Sequence, residues 1–145
     1  MIVTRRLSRK NIHSREEDME EVLLFDNHSG ETRLLEEILV RLGCRVTLAE
    51  SANDCVEKIN STNYVLVIFD HSIPDLDVSD FVAKIEEINL TTPLSMMVTF
   101  SSRFYEEKYG CSGIDFLIFK PFGFSQVLGL VAAARKLARR LRGTY

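Results

Sequence analysis

Four polar residues close or directly follow short apolar runs: Asp26 after EVLLF, Asp70 after YVLVIF, Thr99 after LSMMV and Lys120 after FLIF. Two carboxylates, a hydroxyl and an ammonium gathered in one crevice suit phosphoryl transfer, whose loose transition state asks mainly for positioning and charge neutralisation. Paired carboxylates repel each other, and a hard divalent cation such as magnesium relieves that by bridging them while keeping several waters. The same ion neutralises incoming phosphoryl oxygens. The run before Asp70 is apolar at every position and ends abruptly there, so Asp70 must sit at the carboxyl end of its strand.

The elements that must position these residues follow from hydrophobic periodicity. Glu21–Phe25 reads as a strand, and Leu34, Leu35, Ile38, Leu39 and Leu42 recur at helical spacing over Glu31–Leu42, with Gly43 as the stop. Arg45–Ala49 alternates as a second strand, and Ser51 caps a helix that turns Val56 and Ile59 inward. Tyr64–Phe69 carries no polar side chain in its interior, the signature of a central parallel strand covered on both faces. Phe81, Val82, Ile85 and Ile88 mark a third helix and Leu94–Val98 a fourth strand. Phe104–Tyr109 is a short helix closed by Gly110, Phe116–Phe119 a fifth strand and Ser125–Leu141 the last helix. Five βα units without Gly/Ser linkers predict one open parallel sheet with helices on both faces, strand order 2-1-3-4-5, and a crevice beyond the carboxyl ends of the first and third strands. That rule alone brings Asp26 and Asp70 together.

Phe25-Asp26-Asn27, Asp70-His71-Ser72-Ile73-Pro74-Asp75-Leu76-Asp77, Thr99 and Lys120-Pro121-Phe122 resemble the CheY-like receiver domains of two-component signalling, over roughly Glu21 to Ala134. The resemblance implies a flavodoxin-like, doubly wound α/β fold and a phosphoryl group passed to Asp70 from a histidine kinase or a histidine phosphotransfer domain. It implies a magnesium ion held by Asp26, Asp70 and the backbone carbonyl of Ser72. Lys120 would pair with one phosphoryl oxygen, Thr99 would hydrogen-bond another and move inward on modification, and Lys120-Pro121 would be a cis peptide. The output would be a changed partner surface.

The sequence also departs from the family's pattern. Receivers carry two adjacent acids after the first strand, and counting Phe25 as the first of that pair leaves two site carboxylates instead of three, hence weaker magnesium binding. Val78 stands where the family has glycine, a cost if that position needs positive φ. Strict spacing from Pro93 would put Val98 at the switch hydroxyl position, where Thr99 is the choice and Ser101 a further one, and Leu117 replaces the aromatic switch residue. Phe25, Val78 and Leu117 point to the main alternative, a pseudo-receiver that docks proteins or restrains a kinase without phosphorylation. Two further readings rank lower. A flavin binder using the Asn27–Thr32 loop is opposed by the negative charge of Asp26, and a haloacid-dehalogenase-like phosphatase wants an acid where Ser72 stands. His28 and His71 flank the two acids as modulators or bystanders, without metal-ligand spacing.

Composition bounds the rest. The chain has 145 residues, suited to one domain, with a basic extension or linker over 1–20, the receiver over 21–141 and a tail over 142–145. Net charge is −3, but all 21 acids lie between Glu16 and Asp115, and residues 16–134 hold them against eight basic residues, which opposes nucleic-acid binding by the folded body. Arg5, Arg6, Arg9, Lys10 and Arg15 lead and Arg135, Lys136, Arg139, Arg140 and Arg142 close the chain, read as solvated ends. No apolar run is long enough to span a bilayer and none follows the basic start, so a cytoplasmic protein without membrane contact is expected. Cys44, Cys55 and Cys111 suit reduced core thiols. A second copy pairing through the last helices is a further candidate partner, and the length fits a stand-alone receiver or a piece of a hybrid sensor kinase.

Overall fold

The computed structural model describes residues 19–26, 30–99 and 113–143. Its strands are β1 (Glu21–Phe25), β2 (Arg45–Ala49), β3 (Leu66–Asp70), β4 (Leu94–Val98) and β5 (Phe116–Phe119). They form one five-stranded sheet in the order β2-β1-β3-β4-β5, every neighbouring pair parallel, as the sequence predicts. The described helices are α1 (Gly30–Arg41), α2 (Ala52–Ser61), α3 (Val78–Ile88) and α4 (Phe124–Leu141). The expected Phe104–Tyr109 helix, Ser101, Cys111, Asn27 and His28 lie outside the described residues.

Side chains alternate across the sheet, so each strand feeds two cores. Val22, Leu24, Leu66, Ile68, Met97 and Ile118 pack under α1 and α4, against Leu35, Leu39, Val127, Val131 and Ala134. Leu23, Phe25, Val67, Phe69, Met96 and Val98 pack under α2 and α3, against Cys55, Ile59, Phe81, Val82 and Ile85. Continuing the alternation one residue past each strand puts Asp26, Thr99 and Lys120 on the α1/α4 side, the side to which Asp70 also belongs.

Local chemistry sets the helix ends. Gly43 leaves α1 at φ 86°, with the Gly43 N–H donating to Val40 O and the Cys44 N–H to Leu39 O, each at 3.0 Å, which satisfies carbonyls the helix would otherwise strand. Ser51 caps α2 by accepting from the Asp54 N–H at 3.0 Å, and Asp77 caps α3 by accepting from the Asp80 N–H at 3.1 Å. Val78 is the first residue of α3 and is buried. The expected strain at Val78 is therefore absent: the positive φ of this loop falls on Asp75, at 61°, and a helical first position accepts a β-branched side chain.

The inward face of α1 differs from the apolar pattern by one residue. Thr32, Leu35, Ile38 and Leu39 are buried, while Leu34 is 45% exposed. A buried threonine opens this stripe because its hydroxyl has a partner in the site. Cys44 and Cys55 are free, buried thiols; burial pushes Cys55 up to about 12 and raises Cys44, so both stay protonated and inert.

At the pole away from the crevice, two arginines tie α4 down. Arg135 Nε lies 2.5 Å from Glu20 Oε1, and Arg142 Nη2 donates to Tyr64 O at 3.0 Å. Glu20 and Arg142, just outside the bounds 21–141, both contact the folded body.

Phe81 joins the second core by ring contacts to Phe25 and Phe69, with centroids 5.7 and 5.1 Å away. Phe81→Ala is expected to lower the unfolding free energy by about 3–4 kcal/mol through lost burial and the cavity left behind, read as a fall in the denaturation midpoint at unchanged slope.

Candidate functional site

The two central strands are aligned so that Phe25 sits opposite Phe69. Asp26, one residue past Phe25, is therefore level with Asp70, the last residue of β3. On the other side Asp70 is opposite Met97, and Met97 is opposite Ile118. Thr99 and Lys120 lie two residues beyond those partners, about 7 Å further along the strand direction. Lys120 has the length to reach back, and a threonine has not.

Asp70 is 1% exposed, and every polar contact it makes compensates a buried charge. Lys120 Nζ lies 2.5 Å from Asp70 Oδ2, while the Ser72 N–H and Oγ both donate to Oδ1 at 3.0 Å. Burial raises the Asp70 pKa, but the Lys120 ammonium and the Ser72 donors outweigh it and leave the carboxyl below its ordinary value. For Lys120 burial acts downward, and the carboxylates of Asp70 and Glu31 outweigh it, so its pKa is raised. The Lys120-Pro121 peptide is cis, as the resemblance implied.

Asp26, also buried, accepts a short hydrogen bond from the Thr32 hydroxyl. His71 Nδ1 is 2.9 Å from Met97 O, which places the ring proton on that nitrogen, and 3.4 Å from Asp70 Oδ1. Thr99 stands at the exposed end of β4, and among the described residues it makes no hydrogen bond to Asp70 or Lys120. Val98 is fully buried on the opposite face of the sheet, so alternation favours Thr99 over Val98 at the crevice. Leu117 is partly buried against the α2/α3 core.

Two expectations change. Phe25 is not a substituted site acid: it is a strand residue whose ring packs on Phe81, on the side of the sheet away from Asp26 and Asp70. The two residues that follow the strand in sequence are Asp26 and Asn27, an acid and an amide. Ser72, assigned only a backbone carbonyl, also uses its side chain, which holds Asp70 Oδ1. Sequence reasoning missed Thr32 and Glu31, both in the first turn of α1. Glu31 Oε2 lies 3.0 Å from Lys120 Nζ. Their signal was positional, since the first turn of the helix after β1 must overhang the crevice.

The crevice thus holds a buried nucleophile-grade carboxylate, a second carboxylate beside it and an ammonium already drawn onto the first. Among the described residues no three or more His, Cys, Asp or Glu side chains are grouped to hold a metal ion. Any divalent cation here would rest on two carboxylates and backbone or water oxygens, which suits magnesium better than a softer metal.

Among the described residues, removing Lys120 leaves buried Asp70 with the Ser72 donors and the His71 ring beside it. Lys120→Met is expected to cost about 3 kcal/mol, and much less in an Asp70→Asn background, as a double-mutant cycle in urea would show. Because the Asp70 pKa is depressed, the stability it contributes is present above the ordinary carboxylate value and lost as pH falls through the folded value. Lys120, being raised, loses its contribution only above the ordinary lysine range. The stability difference between wild type and Asp70→Asn should therefore be flat between about pH 5 and 9 and shift toward the variant below about pH 4.

Residues 22–132 match the response regulator receiver domain family. Protein PilG of Pseudomonas aeruginosa is 28% identical over 114 residues, 77% of this chain and 84% of PilG. The sensor histidine kinase RcsC of Escherichia coli is 34% identical over 105 residues, 69% of this chain but 10% of RcsC. The transcriptional regulatory protein PcoR of Escherichia coli is 27% identical over 125 residues, 86% of this chain and 54% of PcoR. The chain thus spans most of one curated relative and about half or less of the others. Among solved structures, a CheY-like receiver domain protein from Methanospirillum hungatei superposes with a TM-score of 0.73 at 21% identity, covering 87% of this chain and 99% of that one. The signal receiver domain of an HD domain-containing protein from Pseudomonas fluorescens gives 0.76 at 21% identity, covering 88% and 94%. With its sheet order, its strand-end acids and its lysine in register, the chain belongs to the response-regulator receiver domains of two-component systems.

Proposed function

We propose that this receiver is a working phosphoacceptor, taking a phosphoryl group from phosphohistidine onto Asp70 and signalling through the surface that changes as a result. The observation that carries the reading is the buried Asp70 carboxylate held by Lys120 Nζ at 2.5 Å, at the carboxyl end of the central strand and level with Asp26. A carboxylate kept ionised at neutral pH is ready to attack phosphorus. Lys120, already in contact, can transfer its ammonium from an Asp70 oxygen to a phosphoryl oxygen, and the Ser72 donors keep Oδ1 oriented meanwhile. Thr99 would take a second phosphoryl oxygen only if the end of β4 moves toward Asp70.

Magnesium fits the donor chemistry, with Asp26, Asp70 and the Ser72 carbonyl as its protein ligands. Bound there, it would neutralise charge on the transferring group. With a carboxylate pair as the whole acidic set, its affinity would be modest. The chain itself acts as an acceptor that assists its own phosphorylation and dephosphorylation, not as a kinase. Its donor would be a histidine kinase or histidine phosphotransfer domain in the cytoplasm, with the last helices as a surface for a second copy. None of the described helices is long and apolar enough to cross a membrane.

Two of the three departures that favoured a pseudo-receiver have ordinary explanations, Phe25 in the core and Val78 in α3, and Leu117 is the one that stands. Incubation with acetyl phosphate and magnesium should give an acid-stable, base-labile adduct by intact mass, lost in Asp70→Asn and on chelation of magnesium, with an Asp70-dependent spectral response to beryllofluoride. If no adduct and no such response appear at high magnesium, the protein is a phosphorylation-independent interaction module.

A further inference from the structure

Lys120 holds two carboxylates, and phosphoryl transfer accounts for only one. Its Nζ is 2.5 Å from Asp70 Oδ2 and 3.0 Å from Glu31 Oε2, with the Lys120 side chain 10% and the Glu31 side chain 51% exposed. Asp70 lies at the floor of the crevice, and Glu31, in the first turn of α1, lies at its mouth. An incoming phosphoryl group reaches Asp70 by bringing its oxygens to the ammonium that Glu31 already engages. It must take Lys120 from Glu31 or pass beside a fixed negative charge, and the resulting penalty grows with the donor's own charge.

We propose that Glu31 is a specificity-determining residue of the phosphorylation site, a charge gate that disfavours small dianionic phosphodonors such as acyl phosphates. The inference rests on Asp70 being the phosphoacceptor. A phosphoryl group on a protein imidazole is favoured by comparison, because docking contacts between the two proteins offset the repulsion. In either transfer an Asp70 oxygen forms the new O–P bond. With acetyl phosphate the P–O bond to acetate breaks and acetate leaves with the bonding pair. With phosphoramidate the P–N bond breaks and the nitrogen, already protonated, leaves as ammonia.

Glu31 also suits the positive end of the α1 dipole, and a purely structural role would change stability without changing donor preference. The full chain, its Glu31→Gln variant and the charge-preserving Glu31→Asp variant would be phosphorylated in magnesium near pH 7 with acetyl phosphate, a dianion, and with phosphoramidate, which carries less negative charge. Glu31→Gln is expected to speed labelling by acetyl phosphate about fivefold, the scale of one partly screened charge a few ångströms away, and labelling by phosphoramidate less than about twofold. The contrast should collapse near 1 M salt, where the screening length falls to about 3 Å, and Glu31→Asp should retain the wild-type preference. Equal changes with both donors, no change, or slower labelling with both would overturn the charge gate while leaving Asp70 as the acceptor. If no Asp70-dependent adduct forms in any of the three proteins, the gate and the phosphoacceptor reading fall together.

Discussion

A single buried charge organises this molecule. Asp70 ends a strand whose other residues are all buried apolar groups, and a carboxylate there is tolerable only with an opposite charge and donors in contact. The cation comes from β5, two strands away in the sheet, so it arrives only if β3, β4 and β5 pair in the observed register. A slip of one residue between β4 and β5 would turn Lys120 to the other face and strand the charge. The ion pair is thus a check on the whole sheet as much as a local contact. It also makes the crevice sensitive, since anything that changes the charge of Asp70 changes what Lys120 must do.

Much of this was readable from the residues alone. Apolar runs that stop at Asp26, Asp70 and Lys120 located the strands and the edge of the sheet on which chemistry sits, because a doubly wound sheet puts its crevice at the carboxyl ends of its strands. Strand order followed from the alternation of elements. What escaped was what depends on facing direction near a strand end. Phe25 and Asp26 are neighbours in sequence yet belong to opposite faces, and treating them as one loop pair counted a core aromatic as a missing acid. Val78 was judged by a rule for left-handed turns, whereas Asp77 starts a helix there and makes an ordinary position of it. Thr32 was hidden because a hydrophobic stripe is read from apolar residues, and its burial comes from a hydrogen bond to Asp26.

The first turn of α1 emerges as the other half of the crevice. Thr32 holds Asp26 and Glu31 holds Lys120, so both charged partners of Asp70's surroundings are supported from one helix terminus. The strand ends supply the reacting groups, and α1 supplies their restraints. Family resemblance draws attention to the strand ends, and the helix beside them completes the site.

The two arginines at the far pole acquire a mechanical meaning in this setting. α4 begins four residues after Lys120 and runs for 18 residues, about 27 Å, before its last turns are clamped by Arg135 and Arg142 to Glu20 and to the carbonyl of Tyr64. Val127, Leu130 and Val131 seat its first half on the sheet as firmly, so an adjustment at Lys120 meets a helix braced along its whole length rather than a loose arm.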